Sequence, residues 1–141
     1  MRRTILAIIS ALLTCATLAA VPPMSEGALQ KYATAVVVGT AVSVHATEVR
    51  RNEHWADELY EITVAVETVE NGVGVQRGLP VIAHGWRARE RPVGWAGPVG
   101  TYAIEDAKVG VKLRLYLLDD KGTMNVIAPN GLVLLDPPAS K

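Results

Sequence analysis

Between Ala33 and Ala46 the chain reads ATAVVVGTAVSVHA, with Val36, Val38, Thr40, Val42 and Val44 on one parity and Gly39, Ala41, Ser43 and His45 on the other. Strand side chains alternate between two faces, so the run predicts a half-buried first strand, apolar on one face and small or polar on the other. Gly39 weakens a plain strand. It is either tolerated without a role or marks a bend that lets one strand serve two sheets. Leu59 to Val69, LYEITVAVETV, alternates more regularly, with Tyr60, Ile62, Val64 and Val66 on one face and Glu61, Thr63 and Glu67 on the other. Further strands are expected over Pro80–Trp86, Val111–Leu118, Met124–Ala128 and Leu132–Leu135. In the fourth strand Val111, Leu113, Leu115 and Leu117 point inward, and Lys112, Arg114 and Tyr116 outward.

The intervening stretches read as punctuation. Ser25 caps a short helix ending at Tyr32, with Leu29 and Tyr32 on one face. Thr47 to Glu58, TEVRRNEHWADE, has no period and is expected as a loop or a frayed hairpin end. Asn71-Gly72, Asp119-Asp120-Lys121-Gly122 and Pro129-Asn130-Gly131 are turns. Arg87 to Val109 is rich in proline and glycine, so no helix is expected there. The expected fold is all-β: a small five- to six-stranded OB-like barrel filled by Val, Leu and Ile. The organisation is a signal segment at 1–20, a helical lead-in at 21–32, the barrel at 33–136 and a disordered tail at 137–141.

The first segment changes the cellular picture. Arg2 and Arg3 precede an apolar run from Ile5 to Ala20 closed by small residues, the pattern of a cleaved signal helix. The expected location is therefore periplasmic or extracellular. The single cysteine, Cys15, lies inside that run, so the mature domain would carry no disulfide, no cysteine nucleophile and no cysteine-ligated zinc. Without Arg2 and Arg3, the fourteen basic residues fall to twelve against fourteen acidic ones, a net charge of −2. No field is left to attract nucleic acid or a membrane surface.

The segments Val36-Val37-Val38-Gly39-Thr40, Tyr60-Glu61-Ile62-Thr63-Val64 and Val109-Gly110-Val111-Lys112-Leu113-Arg114-Leu115-Tyr116-Leu117 together resemble small secreted bacterial OB-fold domains of the netrin-module and metalloproteinase-inhibitor type. The resemblance implies an OB barrel with a habit of binding. Two departures stand beside it. The helix such folds place between the third and fourth strands is not expected over Arg87–Val109. The inhibitors' N-terminal cysteine has no mature counterpart here, so protease inhibition does not carry over.

Candidate chemistry concentrates in His84 to Gly100, HGWRARERPVGWAGPVG. Trp86 and Trp95 suit stacking on a sugar ring or base, and Arg87, Arg89 and Arg91 suit bidentate recognition of carboxylate, sulfate or phosphate. The same residues also suit a structural lid, with the tryptophans over the open barrel end and the arginines solvating the loop. His54, Asp57 and His84 would form a zinc site only if distant strand ends met in space. Glu61 and Glu67 on one strand and Lys112 and Arg114 on another suit cross-strand ion pairs. None of the serines after the first segment, Ser25, Ser43 and Ser140, stands in a Gly-x-Ser-x-Gly elbow. The expected function is a secreted binding or structural module, without catalysis or cofactor, whose partner is a protein or an anionic or carbohydrate ligand. The alternatives are a metal-dependent hydrolase using those scattered His and Asp residues, or an assembly protein joining a neighbour through an edge such as Leu132–Leu135.

Overall fold

In the computed structural model, residues 22–135 are described; the expected signal helix and the 137–141 tail lie outside them. A helix, α1 (Glu26–Tyr32), precedes six strands: β1 (Ala35–Asn52), β2 (Trp55–Gly72), β3 (Pro80–Glu90), β4 (Lys112–Asp120), β5 (Thr123–Val126) and β6 (Leu132–Leu134). β1 pairs with β2, β2 with β3, β3 in parallel with β5, β5 with β4, and β4 with β1 again, while β6 adds to β4. The result is an OB-like closed five-stranded barrel with one additional strand and one short helix.

The interior is aliphatic, as alternation predicts. Ile62 and Val64 of β2, Ala83 of β3 and Leu113, Leu115 and Leu117 of β4 are fully buried in one cluster. Ile104, from a 3-10 turn at Ile104–Asp106, joins them. It rests on Gly85, where a Cβ would come within 2.3 Å of Ile104 Cδ1.

β1 departs from its expected pattern. Ala35, Val37 and Ala41 face the barrel interior, whereas Val36 lies on the opposite side in a second cluster, and Val42 is half exposed. Register shifts fall at Val36/Val37, Val38/Gly39 and Ala41/Ser43; the last leaves Val42 of β1 without a partner and resets the parity, so that Val44 then packs against the interior cluster. Gly39 sits at one of these shifts: a Cβ there would lie 2.1 Å from the Ala65 carbonyl oxygen. A close backbone approach requires the glycine, and across it β1 holds β2 on one edge and β4 on the other.

The second cluster explains Tyr116. Expected to face solvent, it is buried because α1 lies over it, with Leu29, Val36 and Ile127 around it. Ser25 Oγ accepts from Ala28 N at 3.1 Å and caps the helix. Asn130 clamps the lead-in, with Oδ1 accepting from Met24 N at 2.8 Å and Nδ2 donating to Met24 O at 2.7 Å. Leu29 faces the barrel alone; Tyr32 is exposed.

The longest correction concerns 47–58 and 87–90. Both are strand: β1 and β2 continue as a hairpin to a turn at Glu53-His54, and β3 follows to Glu90. β2 also runs through Asn71-Gly72, so the chain turns after it, and β5 ends at Val126 before Ala128. Leu115 lies at the centre of the interior, fully buried. Leu115→Ala is expected to cost about 2–5 kcal/mol, a large fraction of the roughly 5–15 kcal/mol that holds a domain folded, read as a large fall in midpoint in a denaturant melt.

Candidate functional site

Beyond the barrel, the β1–β2 hairpin and the end of β3 form a three-stranded arm. Its turn is set by Asn52, whose Oδ1 accepts from His54 N at 2.8 Å, an Asx turn. The free edge of β3 is covered by the following chain: Thr101 N donates to Trp86 O at 2.7 Å and Ala88 N to Val99 O at 2.9 Å. Arg91 then folds back onto the arm. Its guanidinium carbon lies 4.1 Å from the Trp55 ring centroid and 5.9 Å from that of Trp86, within cation–π range. Nη2 pairs with the Asp57 carboxylate, and Nη1 donates to the carbonyls of Ala56 at 3.0 Å and Glu90 at 2.8 Å. Trp95 meets Trp55 edge to face, with centroids 4.9 Å apart. Only 9% of the Arg91 side chain is exposed, so this guanidinium is a structural centre of the arm.

Arg87 and Arg89 turn to a different carboxylate. Arg87 Nε donates to Glu58 at 2.8 Å and its Nη1 pairs with Glu105; Arg89 lies 3.5 Å from Glu58. The Tyr60 hydroxyl also donates to Glu58. The bond from Tyr60, opposed by burial and supported by Arg87, holds the Glu58 carboxyl below its ordinary range, and burial beside Glu58 pushes the Tyr60 phenol up. Arg50 reaches over the fully buried Ala56 to Glu90, with bonds of 2.5 and 2.9 Å.

Of the five residues singled out in sequence, Trp86, Arg91 and Trp95 therefore gather, around the overlooked Trp55. Arg87 and Arg89 go to Glu58 instead. Each arginine meets a carboxylate of its own chain. His54 stands in the hairpin turn, Asp57 is held by Arg91, and His84 lies on the barrel wall; among the described residues no group of three or more His, Cys, Asp or Glu is placed to hold a metal ion. The cross-strand pairs exist in altered form: Lys112 meets Glu67 at 3.3 Å, and Arg114 meets Glu70 at 2.9 Å.

A second feature adjoins the arm. On the outer wall of β2 and β3, beside β5, lies an open groove of about 490 Å³ lined by Leu59, His84, Trp86, Thr123 and Asn125 over a floor of Tyr60, Gly85 and Val126. Leu59 and Trp86 are paired neighbours across β2 and β3, and His84 and Asn125 across β3 and β5, so their side chains share one face. A shallower extension carries Glu61, Ile82 and Pro80 beyond His84. The side chains lining the main groove carry no carboxylate and no Lys or Arg; they supply an indole, a leucine and short hydrogen-bonding groups.

Comparison of the chain with family profiles, with curated proteins and with solved structures finds no match.

Arg91→Ala leaves Asp57 without its ion partner and exposes two indole faces, with an expected loss of roughly 2–4 kcal/mol. Arg91→Lys is expected to recover little of it, since an ammonium reproduces neither the stacking nor the forked bonding; paired thermal melts check this. For Glu58 the folded pKa lies below the unfolded value of about 4.3. Between the two the unfolded chain binds the extra proton, so stability rises with pH there. The contribution is present above the unfolded value and lost as pH falls through the folded one. Glu58→Gln is expected to flatten the acid limb of a stability-versus-pH curve.

Proposed function

We propose that this chain is an exported, non-catalytic binding module that takes a neutral carbohydrate in the groove of β2, β3 and β5. The observation that carries the reading is Trp86, half-buried at the junction of arm and groove, with Arg91 near its ring and His84, Asn125 and Thr123 along the same wall. An indole face flanked by uncharged donors and acceptors suits the apolar faces and hydroxyls of a sugar ring. The volume falls within the range of small-ligand sites. An anionic ligand is less well served, because Arg87, Arg89 and Arg91 are matched by Glu58, Glu105 and Asp57. Export rests on Arg2, Arg3 and the apolar run to Ala20.

Titration with neutral oligosaccharides, followed by intrinsic tryptophan fluorescence, tests the reading. Binding is expected to change the emission, and Trp86→Ala to weaken it roughly tenfold or more, the scale of one lost stacking contact. Trp95→Ala, which alters the arm at Trp55, serves as the control and is expected to leave the affinity within a few-fold. Identical titrations of wild type and Trp86→Ala, or no response to any glycan, would remove the proposal.

A further inference from the structure

The edge of β1 that faces β4 is paired from Ala35 to Thr40. Ala41 ends the contact, donating to Val111 O at 3.0 Å and accepting from Gly110 N at 2.8 Å. From Val42 to Asn52, β1 keeps only β2 as a strand neighbour among the described residues. The other side of the same arm is treated differently, because residues 99–101 cover the edge of β3. The bare edge contains no proline and no lysine, its register with β2 is regular from Ser43 to Arg50, and its charges, Glu48, Arg50 and Arg51, are of mixed sign. Residues 45–52 are all exposed. Such a row of unpaired N–H and C=O groups is a template for one more extended strand.

We propose that the strand it receives is the same edge of a second copy, paired antiparallel about a two-fold axis at Val49. The charges along the edge select the occupant and the register. A two-fold at Glu48 would set glutamate against glutamate, and one at Arg50 arginine against arginine. At Val49, Glu48 of each copy faces Arg50 of the other, Thr47 faces Arg51, and Val49, 40% exposed in the single chain, meets itself. The ladder then spans Ala46–Asn52 in each copy, an ordinary strand length. Arg50 has donors to spare: of its five N–H groups, two serve Glu90 and one the Asn52 carbonyl. It lies 3.8 Å from its own Glu48 but leans over Ala56 toward Glu90 on β3, so on pairing the side chain would turn to the free edge and exchange Glu90 for Glu48 of the second copy. Pairing would join two three-stranded arms into one six-stranded sheet, leaving the two grooves separate.

Sedimentation equilibrium over a concentration series reads the assembly, with circular dichroism confirming that each variant is folded. A monomer–dimer equilibrium is expected for the wild-type chain. Glu48→Arg and Arg50→Glu are each expected to weaken it about tenfold to a hundredfold, because each sets like charges opposite one another twice. An equimolar mixture of the two variants is expected to dimerise again, since each copy then supplies the charge the other lacks. Should Arg50→Glu lose its fold with the Glu90 contact, amide exchange decides instead: residues 46–52 are expected to slow with rising wild-type concentration and not in Glu48→Arg. A wild-type chain that stays monomeric to about 1 mM overturns the proposal. So does a dimer indifferent to both charge reversals, or one whose 46–52 amides exchange at the monomer's rate.

Discussion

The barrel depends on one strand serving two neighbours at once. β1 lies between β2 and β4 over Ala35 to Thr40, and a five-stranded sheet closes only because its first strand meets its fourth. The cost of that geometry is crowding, greatest at Gly39, where the Ala65 carbonyl occupies the place of a side chain. The same irregularity has a second consequence. The shifts at Val36/Val37 and Val38/Gly39 leave Glu70 and Glu67 of β2 without partners in the register, and these are the carboxylates that reach across β1 to Arg114 and Lys112. The pairs are partly exposed, so each contributes little to stability on its own.

The arm follows different physics from the barrel. Three strands extended beyond the closed part have no second sheet to pack against, and a lone sheet of this size is marginal without a covered face. Here the cover is made of long side chains: Arg50 and Glu90 close over Ala56, and Arg91 lies on Trp55 beside Asp57. Guanidinium groups suit this role because they are flat, remain charged and bond in a fork. An arginine-rich loop that looks in sequence like an anion cradle is thus turned inward by carboxylates on the adjoining strand and turn. The groove beside it is left with neutral groups.

Much of the fold was legible in the alternation. The faces of β2 and the inward leucines of β4 follow from a period of two, because a half-buried strand has no other economical way to hide its aliphatic residues. The arm was not legible. Its strands carry charges at most positions, since their covering is made by Arg, Glu and Trp and not by Val or Leu, so a hydrophobic period has nothing to register. Asn52, two residues before His54, was the local signal of the turn, and Arg50 with Glu90 the signal of a packed face. Tyr116 was misplaced for a related reason: a helix laid on a barrel gives a strand two buried faces.

The sequence by itself determined the class of object, an all-β chain with an aliphatic interior, because composition and alternation act locally and need no knowledge of which strands meet. Within the candidate site it marked Trp86, Arg91 and Trp95, whose residue types are conspicuous wherever they fall. Only the tertiary structure decided that Trp55 joins them, that Glu58 takes Arg87 and Arg89, and that Asn125 stands beside His84 to form a groove. Those are relations between strands distant in the chain. They are fixed by register, by bulges and by the closure of the sheet, none of which a single run of residues contains.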